Sequence, residues 1–540
     1  MKITFSFNSK EYQTLDVSGE YLQIPVLPVR KSGMLQIRFS LPILDFHRYW
    51  TPDSRVPSSK IFWTIETTSA AQRNFPFLSF FNIAQQNRAS IALNNLIDDC
   101  RILARMNQER CTYDLTISVS ICEETEEFCL ILDCRDQPWT RCLADYRKKL
   151  DIPEQNFPAA AWEPVYCTWY AVHAAVTSDW VEKNAAIAAE LGFSTLIIDD
   201  GWCFEQMKRV SPETITTWYE NIGNWEVAPG KFPDFIAHVR RVQKMGLRYL
   251  LWVAPFLIGD RSKIYEELKS ATDEKYLEGY HLLNVQKRKE AERLLKMIAS
   301  LLEKYPIDGL KIDFLDQYFP NLEQPRGRAT LDFIARLSAA IRNIRSDALI
   351  EFRQSYATPG MLPYATQFRA GDVPFDFLDN FQRLAQIRIG LGDRVPVHAD
   401  PVYWHPQESA VNIARHMIAS LAGVPMLSME MTTLSDLESR IIRNWLQFYR
   451  DHLETFKTGT WHVQYQQSAV SYISVRTDEE QIIILNDEKR LEMAMDNTAR
   501  KHHILNLSPA PLRLPGCTAT GPAGEECPAG CIPLGGRGFR

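Results

Sequence analysis

No stretch of this 540-residue sequence reaches the roughly 20 consecutive apolar residues of a membrane span. The opening segment, MKITFSFNSKEYQTLD, has no apolar core of the kind found in a secretory signal. A cytoplasmic chain without membrane contact is the expectation. An excess of basic charge is also missing. Lys and Arg number 60 against 66 Asp and Glu, a formal net charge of −6, which speaks against a nucleic-acid-binding surface. Paired CxxC motifs and HxH or HxxxH/E clusters are absent, so no metal is expected. Of the 11 cysteines, eight are scattered from Cys100 to Cys203, mostly in strand-like runs such as FCLILDC. That fits reduced, buried thiols better than a disulfide framework. Cys517, Cys527 and Cys531 lie in a Gly/Pro-rich stretch without the partners of a zinc site.

What is present describes a soluble globular protein: 45% hydrophobic and 23% charged residues. The chain is too long for one ordinary domain. Residues 1–150 read as short strands, among them YLQIPVLPV, MLQIRFSLPIL and YDLTISVSIC, separated by polar or Pro-bearing breaks. This spacing predicts an antiparallel β-sandwich. From about residue 151 to 450 the pattern changes to short β-rich runs alternating with amphipathic helices. The runs are VYCTWYA, STLIIDDGW, LRYLLWVAP, DGLKIDFL, ALIEFRQ, TQFRAGD, RVPVHADP and GVPMLSM. Strand–helix alternation implies a parallel sheet, and eight strands in one block predict a (β/α)₈ barrel. The fifth and sixth are joined by a short Pro/Gly link, so one helix is missing or rudimentary. A doubly wound open sheet is the alternative, but no Gly-rich phosphate loop follows the first strand. Residues 451–515 return to β patterning and predict a small C-terminal sandwich. Residues 516–540 read as a flexible tail.

Charge inside the strand GLKIDFL is the most informative local feature. Lys311 and Asp313 share one side of a strand whose neighbours are apolar, because side chains alternate with period two. A structural ion pair is the bland explanation. Yet every barrel strand offers polar or indole groups at its C-terminal end, where such barrels carry their chemistry. The first offers Trp169 and Tyr170, the second Asp199, Asp200 and Trp202, and the third Trp252. The fourth offers Lys311, Asp313 and Asp316, the fifth Glu351, Arg353 and Gln354. The sixth gives Arg369 and Asp372, the seventh His398 and Asp400, and the eighth Met429 and Glu430. Carboxylates with Lys, Arg and indoles suit the binding of a sugar. Glycoside hydrolysis needs one ionised and one protonated carboxyl. Asp313 suits the nucleophile, because Lys311 stabilises its charge. Asp372 suits the acid/base, on the expectation that its irregular loop desolvates it and raises its pKa. Asp376 is its rival, or else a helix cap. A metalloenzyme with oxygen ligands is the competing idea. The histidines at 398, 405 and 416 are isolated, and His405 and His416 are expected on surfaces.

LIIDDGWC, GNWEVAPGKFPD, DGLKIDF and FRAGD, in that order, resemble glycoside hydrolase family 36 of clan D, the α-galactosidases or melibiases and their raffinose- and stachyose-forming relatives. The resemblance implies a sandwich–barrel–sandwich fold and a retaining double displacement on an α-linked oligosaccharide, without cofactor. It implies Asp313, in K-x-D, as nucleophile and Asp372 as acid/base. It implies Asp199 and Asp200 on the sugar's 4- and 6-hydroxyls, with Lys311 and Trp225 as further sugar contacts. Three stretches depart from the family pattern. WVAPFLI stands for W-F-E-P-E, RQSYATPGM for C-S-G-G-G-G-R, and Gly371 for the serine before the acid/base. The alternatives are a raffinose-synthase-like transglycosidase and a non-catalytic carbohydrate-binding protein. An oligomer is possible.

Overall fold

The computed structural model describes all residues except 29, 54–58, 274–276, 318–323 and 497. The N-terminal part packs two six-stranded antiparallel sheets face to face. Its strands alternate as period two requires. Along Thr112–Ile121 every second residue, from Tyr113 through Leu115, Ile117 and Val119 to Ile121, is buried. Together with Ile37, Phe39 and Phe80 these residues fill the space between the sheets.

The middle of the chain is a parallel eight-stranded (β/α)₈ barrel. Its strands are β1 (Val165–Cys167), β2 (Thr195–Ile198), β3 (Arg248–Val253), β4 (Gly309–Ile312), β5 (Leu349–Arg353), β6 (Gln367–Arg369), β7 (Val397–His398) and β8 (Met426–Leu427). They pair in sequence order, with β1 also on β8. Backbone bonds Val424 N to Val397 O (2.7 Å) and Ala399 N to Val424 O (3.0 Å) close the ring between β7 and β8. Gly309 opens β4 where a Cβ would stand 2.1 Å from the Leu349 carbonyl oxygen. Only glycine lets β4 and β5 approach this closely. The helix Ser178–Leu191 is capped by Thr177, whose hydroxyl accepts from Trp180 N; the cap lies one residue before the Ser-Asp signal. Between β5 and β6 stands only the short 3₁₀ turn Pro359–Tyr364, the rudimentary helix expected from the Pro/Gly link.

The barrel interior is layered. At the N-terminal end Val165, Cys167, Ile197, Leu250, Leu349 and Met426 form a dry plug. Two residues further along the same strands the inward side chains turn polar. Trp252, Lys311 and Glu351 are in register across β3, β4 and β5. A larger apolar core continues outward through the helices and joins the barrel to Trp50, Phe75 and Trp139.

The C-terminal part is a seven-stranded sheet with a two-stranded ribbon. Residues 516–540, read from sequence as a loose tail, are built into it. Thr518–Thr520, Glu526–Cys527 and Arg537–Phe539 are strands of that sheet, and Cys517 and Ile532 are buried. The glycines that signalled disorder instead make turns between very short strands, as at Gly530 with φ +82°. All 11 cysteines are free thiols. Among the described residues no helix is long and apolar enough to cross a membrane.

Candidate active site

The side chains at the C-terminal strand ends converge inside the ring. Lys311 Nζ donates to Asp199 Oδ2 at 2.5 Å and lies 3.9 Å from Asp313 Oδ2. Cys167 Sγ donates to Asp199 Oδ2 at 3.3 Å. Burial pushes the pKa of Lys311 down, but the Asp199 carboxylate beside it outweighs that, raises the pKa and keeps the ammonium charged. Asp199, Asp200, Lys311 and Asp313 are all buried.

Asp313 is held by groups from two neighbouring strands and by the backbone just after it. Arg353 Nε contacts Oδ1 directly. Trp252 Nε1 donates to Oδ2 at 3.0 Å, and Phe314 N donates to Oδ1 at 2.7 Å. Burial pushes its pKa up, yet Arg353 and then Lys311 outweigh that and hold it well below the usual carboxylate range. Arg353 is itself fixed over the Phe314 ring, 5.0 Å from the centroid. Phe314 and Trp225 both adopt left-handed backbone, at φ +55° and +48°. Such conformations cost of order 1–3 kcal/mol each and gather at functional sites.

Across the ring, Arg369 on β6 joins three carboxyls. Its terminal nitrogens donate to Asp372 Oδ1 at 3.1 Å and contact Asp400, and its Nε lies 3.9 Å from Glu351. Asp372 sits at the mouth, its side chain 53% exposed. The sequence expectation that it is desolvated with a raised pKa fails: the side chain keeps more than half its exposure, and Arg369 and Arg353 outweigh what solvent it has lost and hold it below the ordinary value. The Asp313 charge pushes the other way. Other carboxyls are pushed up, Asp316 among them by burial. Burial, then repulsion from Asp199, lifts Asp200 to about 7. Burial lifts Asp400 to about 7 against the pull of Arg369.

Trp169 and Trp225 also reach the region. Trp169 packs edge-on against Trp218 at 5.7 Å, and Trp225 lies 5.8 Å from Trp252. The Trp225 indole nitrogen and Asp200 Oδ1 are buried without a hydrogen-bond partner. Other strand-end residues do structural work. His398 Nε2 bonds the Ala161 carbonyl at 2.7 Å. Glu430 accepts from Trp180 and Asn184 and anchors their helix. Asp376 accepts from Leu378 N and Asp379 N, both at 3.0 Å, and is a helix cap. His416, expected on a surface, is buried against Trp404 and Phe377.

Three neighbours escaped the sequence reading. Trp218 Nε1 donates to Asp200 Oδ2 at 2.9 Å, and Tyr219 stacks on Trp252. Lys231 Nζ donates to the carbonyls of Ala174, Gly201 and Gln206 and ties the segment after β1 to the loop after β2. The aromatic run TTWYENIGNW was the available signal.

The melibiase family profile matches residues 143–343. That span contains Asp199, Asp200, Trp225, Lys311 and Asp313, and ends before Arg353, Arg369 and Asp372. The bifunctional α-galactosidase/sucrose kinase of Mediterraneibacter gnavus is 21% identical over 71% of this chain and 41% of its own length. An α-galactosidase of Escherichia coli is 22% identical over 67% of this chain and 51% of its length. The chain thus matches about half or less of the length of these relatives. The structure of a variant of the α-galactosidase AgaA from Geobacillus stearothermophilus, solved with 1-deoxygalactonojirimycin, aligns over 94% of this chain and 77% of its own. Its TM-score is 0.67 at 14% identity. In sequence and in fold this chain is α-galactosidase-like, similar to the melibiases of glycoside hydrolase family 36.

Proposed function

We propose that this chain is a retaining α-glycoside hydrolase that cleaves α-galactosides of small oligosaccharides through a covalent glycosyl intermediate on Asp313. The observation that carries the reading is the setting of Asp313: a buried carboxylate kept ionised by Arg353 and Lys311, facing the ring's open end. An ionised nucleophile and a separate proton donor are what retention requires.

Asp372 is the donor in this reading. It is the exposed carboxyl of its cluster, whereas Asp400 is 0% exposed and Asp376 caps a helix. In the first step an Asp313 oxygen forms a bond to the anomeric carbon. The glycosidic C–O bond breaks, and the Asp372 proton goes to the leaving oxygen. In the second, Asp372 takes a proton from water as that water displaces Asp313. A sugar seated at the mouth excludes water from Asp372 and raises its pKa toward the value a donor needs. Asp199, Asp200 and Lys311 bind hydroxyls, with Trp169, Trp225 and Trp252 against the ring. Phe375, 64% exposed and edge-on to Tyr403 at 5.3 Å, faces outward on the Asp372 loop, a surface suited to the aglycone. The likeness to α-galactosidases supports galactose as the sugar.

A panel of p-nitrophenyl α-glycosides tests the substrate, with the α-galactoside expected to lead. A fluorinated galactosyl donor that slows deglycosylation should label the peptide carrying Asp313, and Asp313→Asn should lose ~10³-fold or more in kcat. Products formed with and without sucrose separate hydrolysis from transfer. Label on another residue, or near-normal rates for Asp313→Asn, would reject the assignment.

A further inference from the structure

Away from the barrel mouth, three side chains meet where the last long helix adjoins the C-terminal sheet. His452 follows the helix Asp436–Asp451. Glu480 opens the strand Glu480–Leu485, and His503 lies on its parallel neighbour Lys501–Asn506. Glu480 is in register with Lys501. His503, two residues on, therefore leaves the sheet on the same face.

One ligand atom from each residue lies within 4.8 Å of the other two. Glu480 Oε2 is 2.9 Å from His452 Nδ1 and 3.2 Å from His503 Nε2. The second approach lacks the alignment of a hydrogen bond. Neither ring nitrogen of His503 has a hydrogen-bond partner: Nδ1 is buried without one, and Nε2 has only the misaligned approach to Glu480, in a residue only 8% exposed. The Thr455 hydroxyl donates to the other Glu480 oxygen, fixing the carboxylate as outer hydrogen bonds fix metal ligands. Arg537, over the Phe448 ring beside the cluster, opposes a further cation, so affinity must come from ligation.

We propose that His452, Glu480 and His503 bind one divalent transition-metal cation, zinc in the first instance, with water in the fourth position. Zn–N and Zn–O bonds of about 2.0–2.2 Å in a tetrahedron set ligand atoms roughly 3.3 Å apart. The two separations to Glu480 Oε2 are within a few tenths of an ångström of that. Two imidazoles and one carboxylate select zinc-like ions over magnesium or calcium. Because the ligands come from a barrel helix and from the C-terminal sheet, the ion clamps one to the other. The site is independent of the sugar chemistry.

The test uses the full chain, stripped with a chelator and titrated with zinc chloride by calorimetry, with cobalt absorption as a second readout. Wild type should take up one equivalent, gain thermal stability and give the bands of tetrahedral cobalt. Glu480→Gln and His503→Ala should each weaken binding at least tenfold. His405→Ala, altering an exposed histidine, should bind as wild type. Circular dichroism of the metal-free variants checks folding, and the near-isosteric Glu480→Gln carries the test where His503→Ala does not fold. No saturable uptake by wild type, or uptake undiminished in Glu480→Gln, would overturn the proposal.

Discussion

Asp200 gives a quantitative handle on the site. It is 1% exposed beside Asp199, and burial followed by that repulsion lifts its pKa to about 7. In the unfolded chain an aspartate titrates near 3.9. The folded state therefore holds a proton that the unfolded state releases, and stability falls as pH rises between these two values. Below about pH 4 both states are protonated and nothing is lost. Above about pH 7 the full cost is present: roughly three pKa units at ~1.4 kcal/mol each, or ~4 kcal/mol. Asp200→Asn removes the titration but keeps an acceptor for the Trp218 indole N–H. The variant should match wild type near pH 4, gain stability relative to it through pH 5 and 6, and level off above pH 7. For a cooperative unit of roughly 300 residues the unfolding entropy is ~0.6 kcal/mol/K, so the plateau corresponds to a Tm difference of about 6 °C. Paired thermal scans across pH at one scan rate read it, because taking the difference cancels the titrating groups that are not coupled to Asp200. The same substitution should cost turnover, since the carboxyl proposed to bind a sugar hydroxyl is lost. A Tm difference that did not vary with pH would refute the assigned titration of Asp200.

Arg353→Gln removes the first cation that holds Asp313 down. The proposed nucleophile must be ionised, so its pKa should rise and the acid limb that it sets in kcat/KM should move to higher pH; superposable profiles would count against the pairing. Asp372→Ala should spare p-nitrophenyl glycosides relative to natural oligosaccharides, because a good leaving group needs little protonation. Equal losses on both would remove Asp372 from the acid role.

The barrel and the place of the charged residues on it were legible because a barrel strand is buried on both faces. In GLKIDFL a lysine and an aspartate at period two leave no dry position for either, and they lie in the polar layer above the plug. What governs the pKa of these groups was not legible. Arg353 contacts Asp313 and Arg369 contacts Asp372 through strand register and side-chain reach, neither of which is written in local spacing. That is why Asp372 was expected high and is held low. Trp218 and Tyr219 were missed because their segment has no helical or strand period. The end of the chain was misread because short strands joined by glycine turns have the composition of disorder. The His452–Glu480–His503 cluster joins three elements that no spacing rule connects.

Arg369 is shared, and this bears on how a proton reaches Asp372. One guanidinium serves Asp372 and Asp400, both in direct contact. If Asp372 takes up a proton as the sugar covers it, the repulsion that helps hold the proton on Asp400 is relieved, so Asp400 ionises against Arg369 and no buried cation is stranded, a loss that otherwise costs several kcal/mol. Asp400→Asn removes that second partner while keeping an acceptor for Tyr170 and for Val373 N. Arg369 then depends on Asp372 and the more distant Glu351, and Asp372 is held ionised. The basic limb of kcat/KM, set by the proton donor, should move to lower pH, and turnover of natural oligosaccharides at pH 7 should fall about tenfold or more, within the range of general-acid catalysis. p-Nitrophenyl glycosides, which need the donor least, should lose little. Equal losses on both substrates with an unmoved basic limb would mean that Asp400 only supports the fold and that Arg369 does not link the two carboxyls.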